Sequence, residues 1–98
     1  MTREELKKHV KSALRITTND AGINSEVDVL ISSALMDLQM SGIKIDVLDD
    51  IIVLAVTLYC KAKFGFDNPE SEKLYQSYRT LETHLALSKE YKEQLNEV

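Results

Sequence analysis

Apolar residues recur at helical spacing in four successive stretches of the chain. In the first, Leu6, Val10, Ala13 and Leu14 fall at i, i+4, i+7 and i+8 and form one stripe. Thr2 with Glu5 three residues later predicts a capping box that opens this helix. The segment 17–22 (Thr-Thr-Asn-Asp-Ala-Gly) reads as a loop, because its side chains compete for backbone hydrogen bonds. A second helix follows, capped by Asn24 or Ser25 and running to about Met40. Gly42 is placed to take the left-handed conformation that closes it. Its stripe of Val27, Leu30, Ile31, Ala34, Leu35 and Leu38 has the cleanest period in the sequence. Glu26, Ser32, Ser33 and Asp37 are predicted to line the opposite, solvent side.

The third stretch is apolar on nearly every side. From Ile51 to Cys60 only Thr57 interrupts it, so it should be enclosed by protein. Its β-branched content makes a buried strand the competing reading, but the continuous run from Val47 to Phe64 favours a helix ending at Gly65. Asp46, Asp49 and Asp50 cluster where that helix starts and Lys61 and Lys63 where it ends, matching both poles of its dipole. Gly65, Asn68 and Pro69 then form a helix-turn signature: a stop, an N-cap and a first helical position. The fourth helix carries Leu74, Tyr78, Leu81 and Leu85 on one face and should fold back on the third as an αα-hairpin. The predicted fold class is therefore all-α. It is a small bundle of four helices with a central apolar helix and a C-terminal αα-hairpin. Residues 1–88 are expected to form a single helical domain, and 89–98 a polar C-terminal tail, with Tyr91 and Leu95 four apart, that is either a helical extension or disordered until assembly.

Length, charge and cysteine content narrow the class. Ninety-eight residues allow one core. The lone Cys60 has no disulfide partner within the chain, which fits a reducing compartment. The polar start Met1-Thr2-Arg3-Glu4-Glu5 does not resemble a signal peptide. The ten-residue apolar run is half of the ~20 residues a bilayer span needs, so no membrane partner is expected. The net charge of −4 is unevenly spread. Residues 1–15 carry five basic groups against two acids, whereas residues 16–60 carry Lys44 against seven acids. Such polarity suits contact between copies of the chain.

Catalytic chemistry is hard to find. His9 and His84 border apolar stripes on separate helices and read as edge or interface residues. Cys60 reads as a buried hydrophobe rather than a nucleophile. Asp46, Asp49 and Asp50 lack the glycine pattern and further ligands of a calcium loop, and helix capping explains them. The sequence predicts no catalytic residue, metal, cofactor or small-molecule ligand. The basic row Lys7, Lys11 and Arg15, with Lys8 beside it, has three readings: a solvated face, a subunit interface facing Asp46, Asp49 and Asp50 of a neighbouring copy, or sequence-blind contact with nucleic-acid phosphates.

The string from Asp49 through Ile51–Cys60 to Phe64-Gly65-Phe66-Asp67-Asn68-Pro69, followed by Tyr75, Tyr78 and the stretch 81–88 (Leu-Glu-Thr-His-Leu-Ala-Leu-Ser), resembles the head–tail connector (adaptor) proteins of long-tailed bacteriophages. The likeness is specific over residues 49–88 and general in layout elsewhere. It implies a structural, non-enzymatic subunit of phage or prophage origin. Such subunits form a homo-oligomeric ring between the portal protein and the head-completion or stopper protein, and extend the channel through which DNA passes. It places the protein at the virion head–tail joint, and in the host bacterial cytoplasm before assembly. Two other classes fit the residues less well: a helical adaptor that holds a partner helix in a groove, and a helical DNA-binding domain.

Overall fold

The capping box forms as its spacing predicts. Thr2 Oγ1 accepts the Glu5 amide at 3.1 Å while Glu5 Oε1 accepts the Thr2 amide at 2.9 Å. The computed structural model describes residues 1–65 and 68–93. Its four helices are α1 (Arg3–Ala13), α2 (Ala21–Met40), α3 (Asp50–Lys63) and α4 (Ser71–Leu87), with no strand among the described residues. The all-α reading therefore stands, and the helical alternative for the apolar run is the right one. Phe66, Asp67 and residues 94–98, Leu95 among them, lie outside the described residues.

Three helix boundaries differ from expectation, each because a side chain finds a better use. α2 begins at Ala21, not beyond Asn24, because Asp20 Oδ1 accepts the Ile23 amide at 3.0 Å. A carboxylate there also favours the positive end of the dipole. α3 begins at Asp50 rather than Val47, since Asp49 caps it by accepting the Ile52 amide at 3.1 Å. α4 begins at Ser71, two residues past Pro69, and Glu70 at its N-cap makes no side-chain cap bond. Asn68 is not the cap. Its amide nitrogen donates to the Lys61 carbonyl at 3.0 Å, and its Oδ1 accepts the Glu70 amide at 3.0 Å. Gly65 takes φ +80 beside it. The signature thus marks a turn that ties the end of α3 to the start of α4, and Ser71 Oγ reinforces it by donating to the Ala62 carbonyl.

α3 and α4 run antiparallel as the expected hairpin. Tyr59 meets Tyr78 edge-on with ring centroids 5.2 Å apart, and Lys63 Nζ lies 4.6 Å from the Tyr75 centroid. The core collects Leu6 and Val10 of α1, Val27, Ile31, Ala34 and Leu38 of α2, and Ile52, Val56 and Cys60 of α3, with Tyr78 of α4, all fully buried. Leu74 and Leu81 are only partly covered. α3 is central, packing against each of the other three helices.

The chain after α4 returns to the α2–α3 connection. Lys92 and Ile43 form an isolated antiparallel bridge, in which the Lys44 amide donates to the Tyr91 carbonyl and the Glu93 amide to the Gly42 carbonyl, both at 2.7 Å. Residues 89–93 thereby pack on the helical unit, and Tyr91 OH donates to Asp49 Oδ2 at 2.6 Å.

Candidate functional site

Lys7 and Lys11 of the basic row lie along the seam between α1 and α2. Lys7 Nζ forms an ion pair with Asp28 Oδ2 at 3.0 Å, and Lys11 Nζ donates to Asn24 Oδ1 at 2.7 Å. Arg3, which the sequence did not single out, joins the same seam by donating to Ser32 Oγ at 2.8 Å. Two of the three predicted interface cations therefore spend hydrogen bonds within their own subunit. Arg15 remains exposed, at the left-handed position after α1.

The acidic cluster also divides. Asp49 is occupied twice, by the Ile52 amide and by the Tyr91 hydroxyl, and that second bond raises the Tyr91 pKa. Asp46 and Asp50 are exposed. Asp46 lines a hollow of about 560 Å³ with Gln39, Lys44, Ile45 and Glu93. No group of three His, Cys, Asp or Glu side chains able to hold a metal occurs among the described residues.

A polar cluster between α2 and α4 escaped the sequence reading. Asp37, expected on the solvent side of α2, is half-buried and accepts Tyr78 OH at 2.6 Å. Glu82, which looked like one of several scattered acids, is only 3% exposed. Its Oε2 accepts Ser41 Oγ at 2.9 Å and lies 3.3 Å from Tyr78 OH, while Oε1 accepts Arg79 at 2.8 Å. Burial, then the hydrogen bond with Asp37, raise the Glu82 pKa, and burial also raises that of Tyr78. Tyr78 OH to Asp37 and Ser41 Oγ to Glu82 both cross between the helices, so the cluster is a clamp from α4 to α2. The only advance signal was Glu82 four residues after Tyr78, on the buried face of α4.

The nucleophile candidates are apart. Cys60 is fully buried, and burial pushes its thiol up to about 12. His9 and His84 are exposed on different helices. What the surface does offer is apolar. On α2, Val29, Met36 and Met40 stand out directly opposite the buried stripe. On α3, Ile51 is 37% and Leu54 48% exposed, which corrects the expectation that this helix is enclosed on every side. α1, α2 and α4 cover three sides of it and leave the fourth open. A groove of about 540 Å³ runs beside this open side, between Leu54 and Leu58 of α3 and Lys73, Ser77, Leu81 and His84 of α4. Large apolar side chains left in water as contiguous patches mark surfaces that meet other proteins.

The family described as phage connector protein matches residues 7–92, nearly the whole described chain. The chain belongs to this family. It is a structural protein of bacteriophage, and connectors are in general non-enzymatic components that join phage parts. The matched span includes both the hairpin that carried the resemblance and the returning segment up to Lys92. No curated protein and no solved structure matches this connector. No described helix is long and apolar enough to cross a membrane.

Proposed function

We propose that the protein assembles with copies of itself into a ring at the virion head–tail joint, between the portal protein and the head-completion or stopper protein, and that the ring lengthens the DNA channel. The observation that carries this reading is the family match across residues 7–92. The exposed Val29, Met36 and Met40 of α2 support it, because a ring subunit must present surfaces that a lone subunit leaves uncovered. A head-to-tail contact between unlike surfaces closes into a ring when the rotation permits. With Lys7, Lys11 and Asp49 already bonded inside the subunit, the charge pairing for that contact falls to Arg15 of one copy and Asp46 of the next.

Two measurements test the reading on the full chain. Sedimentation over a concentration series should show small species when dilute and a large closed assembly when concentrated or mixed with the portal protein. Arg15→Glu should weaken that assembly at low salt more than at high salt, since screening removes an exposed pair. A chain that neither forms large species nor co-sediments with portal protein would overturn the proposal.

A further inference from the structure

α3 carries a pattern on its open side that is complementary to itself. Asp50, Leu54, Leu58 and Lys61 fall at i, i+4, i+8 and i+11, one above another along the helix. Asp50, Leu54 and Lys61 are exposed and Leu58 is half-buried. The acid stands at one end, the base at the other, and two leucines lie between them. Asp50 and Lys61 are about 17 Å apart along the axis. Their midpoint nearly coincides with that of Leu54 and Leu58. If a second identical helix is laid antiparallel on this stripe, Asp50 meets Lys61 of the other copy at both ends. Leu54 meets Leu58 of the other copy twice at the centre.

The neighbouring helix extends the pattern. Because α4 runs antiparallel to α3, Lys73 near its start lies beside the Lys61 end of the layer, and the exposed Leu87 lies toward the Asp50 end. Lys73 lines the groove between the helices beside Lys61, and no carboxylate lines that groove, so the basic end of the surface is continuous across both helices. An acidic end, an apolar middle and a basic end on one two-helix layer select a partner with the same order reversed. A copy of this chain turned by 180° is such a partner.

We infer that the open α3–α4 face binds a second copy of this chain in a two-fold, antiparallel contact, stacking two αα-hairpins into a four-helix layer. Like contacts like in this arrangement, so it closes at two copies and cannot itself propagate a ring. It is thus a property of the free protein, separate from the ring contact proposed above.

Charge reversal at the two ends tests it. Full-length chains are compared by sedimentation equilibrium, with helicity and melting checked for each. Wild type should give a two-copy species. Asp50→Lys and Lys61→Glu should each weaken pairing at least about tenfold, since symmetry places like charges together twice. The double variant Asp50→Lys/Lys61→Glu should recover it. An equimolar mixture of the two single variants should form a mixed pair more tightly than either forms alone, because one stripe is then basic and the other acidic at both ends. That mixture also guards against a folding defect in Asp50→Lys, which loses a carboxylate from the first turn of α3. Leu54→Glu should abolish pairing. A wild type that stays monomeric at millimolar concentration, pairing indifferent to Leu54→Glu, or single reversals that neither weaken pairing nor rescue one another would each overturn the inference. Ring formation with portal protein is read separately by mass, so loss of the pair with rings intact removes this inference alone.

Discussion

Two helix ends show how much one backbone position can weigh. α1 and α2 close with the same hydrogen-bond pattern. Ile16 and Arg15 donate to Lys11 and Ser12 in one, and Ile43 and Gly42 to Leu38 and Gln39 in the other. Both place a residue in the left-handed region, Gly42 at φ +82 and Arg15 at φ +60. Glycine adopts that conformation without strain, whereas a side chain there costs about 1 kcal/mol. Arg15→Gly should therefore stabilise the protein by about 1 kcal/mol and Gly42→Ala destabilise it by a similar amount in denaturant titrations. Glu82 supplies the other residue-scale test. Its pKa is raised in the folded state by burial and by Asp37, so the folded protein binds a proton there that the unfolded chain releases. Stability from this group is consequently fully present below the unfolded carboxylate pKa and is lost as pH rises through the folded pKa. Glu82→Gln, which does not titrate, should flatten that slope. Melting curves at several pH values check this, and an unaltered slope would assign it to other groups.

At the scale of elements, the sequence located all four helices, the start of α1 and the end of α2, but misplaced the starts of α2, α3 and α4. Periodicity reports a face, and a face is long enough to survive an error of two residues. A boundary depends on which of several polar side chains wins a given amide. Near α2 the competitors were Asp20, Asn24 and Ser25, and Asp20 won while Asn24 turned to Lys11. The turn signature was legible as a turn, yet the use of Asn68 to bond the preceding helix was not. The returning segment 89–93 reads in the sequence as part of a polar tail because it holds few apolar residues. Its attachment is instead backbone pairing with residues 42–44 and a single hydroxyl on the cap of α3. Tyr91→Phe removes that hydroxyl and should speed hydrogen exchange at the Lys44 and Glu93 amides, which donate across the bridge. Exchange in the middle of α3 should not change.

For the whole molecule, Cys60 is a built-in reporter. It is fully buried in the central helix, and burial holds its thiol protonated at neutral pH. A small thiol reagent should label it only as fast as the bundle opens, with full labelling in denaturant. Rapid labelling of the native protein would mean that α3 is less enclosed at Cys60 than the packing indicates. The same helix that hides Cys60 exposes Leu54, and that contrast links the fold to assembly. A helix with apolar residues all round needs more neighbours than one 98-residue chain provides.

Hydrophobic periodicity, the glycine and proline positions and the capping residues determined the fold class, the order of helices and the hairpin. The residues of that hairpin also pointed to the connector family. Those features are local, because each depends on residues within a few turns of one another. Only the tertiary structure decided that Lys7 and Lys11 serve an internal seam, that Asp37 and Glu82 share a buried clamp, and that one side of α3 stays open. Burial and pairing depend on which faces meet across the chain, and a helix is equally regular whether its far side meets water, its own protein or another copy.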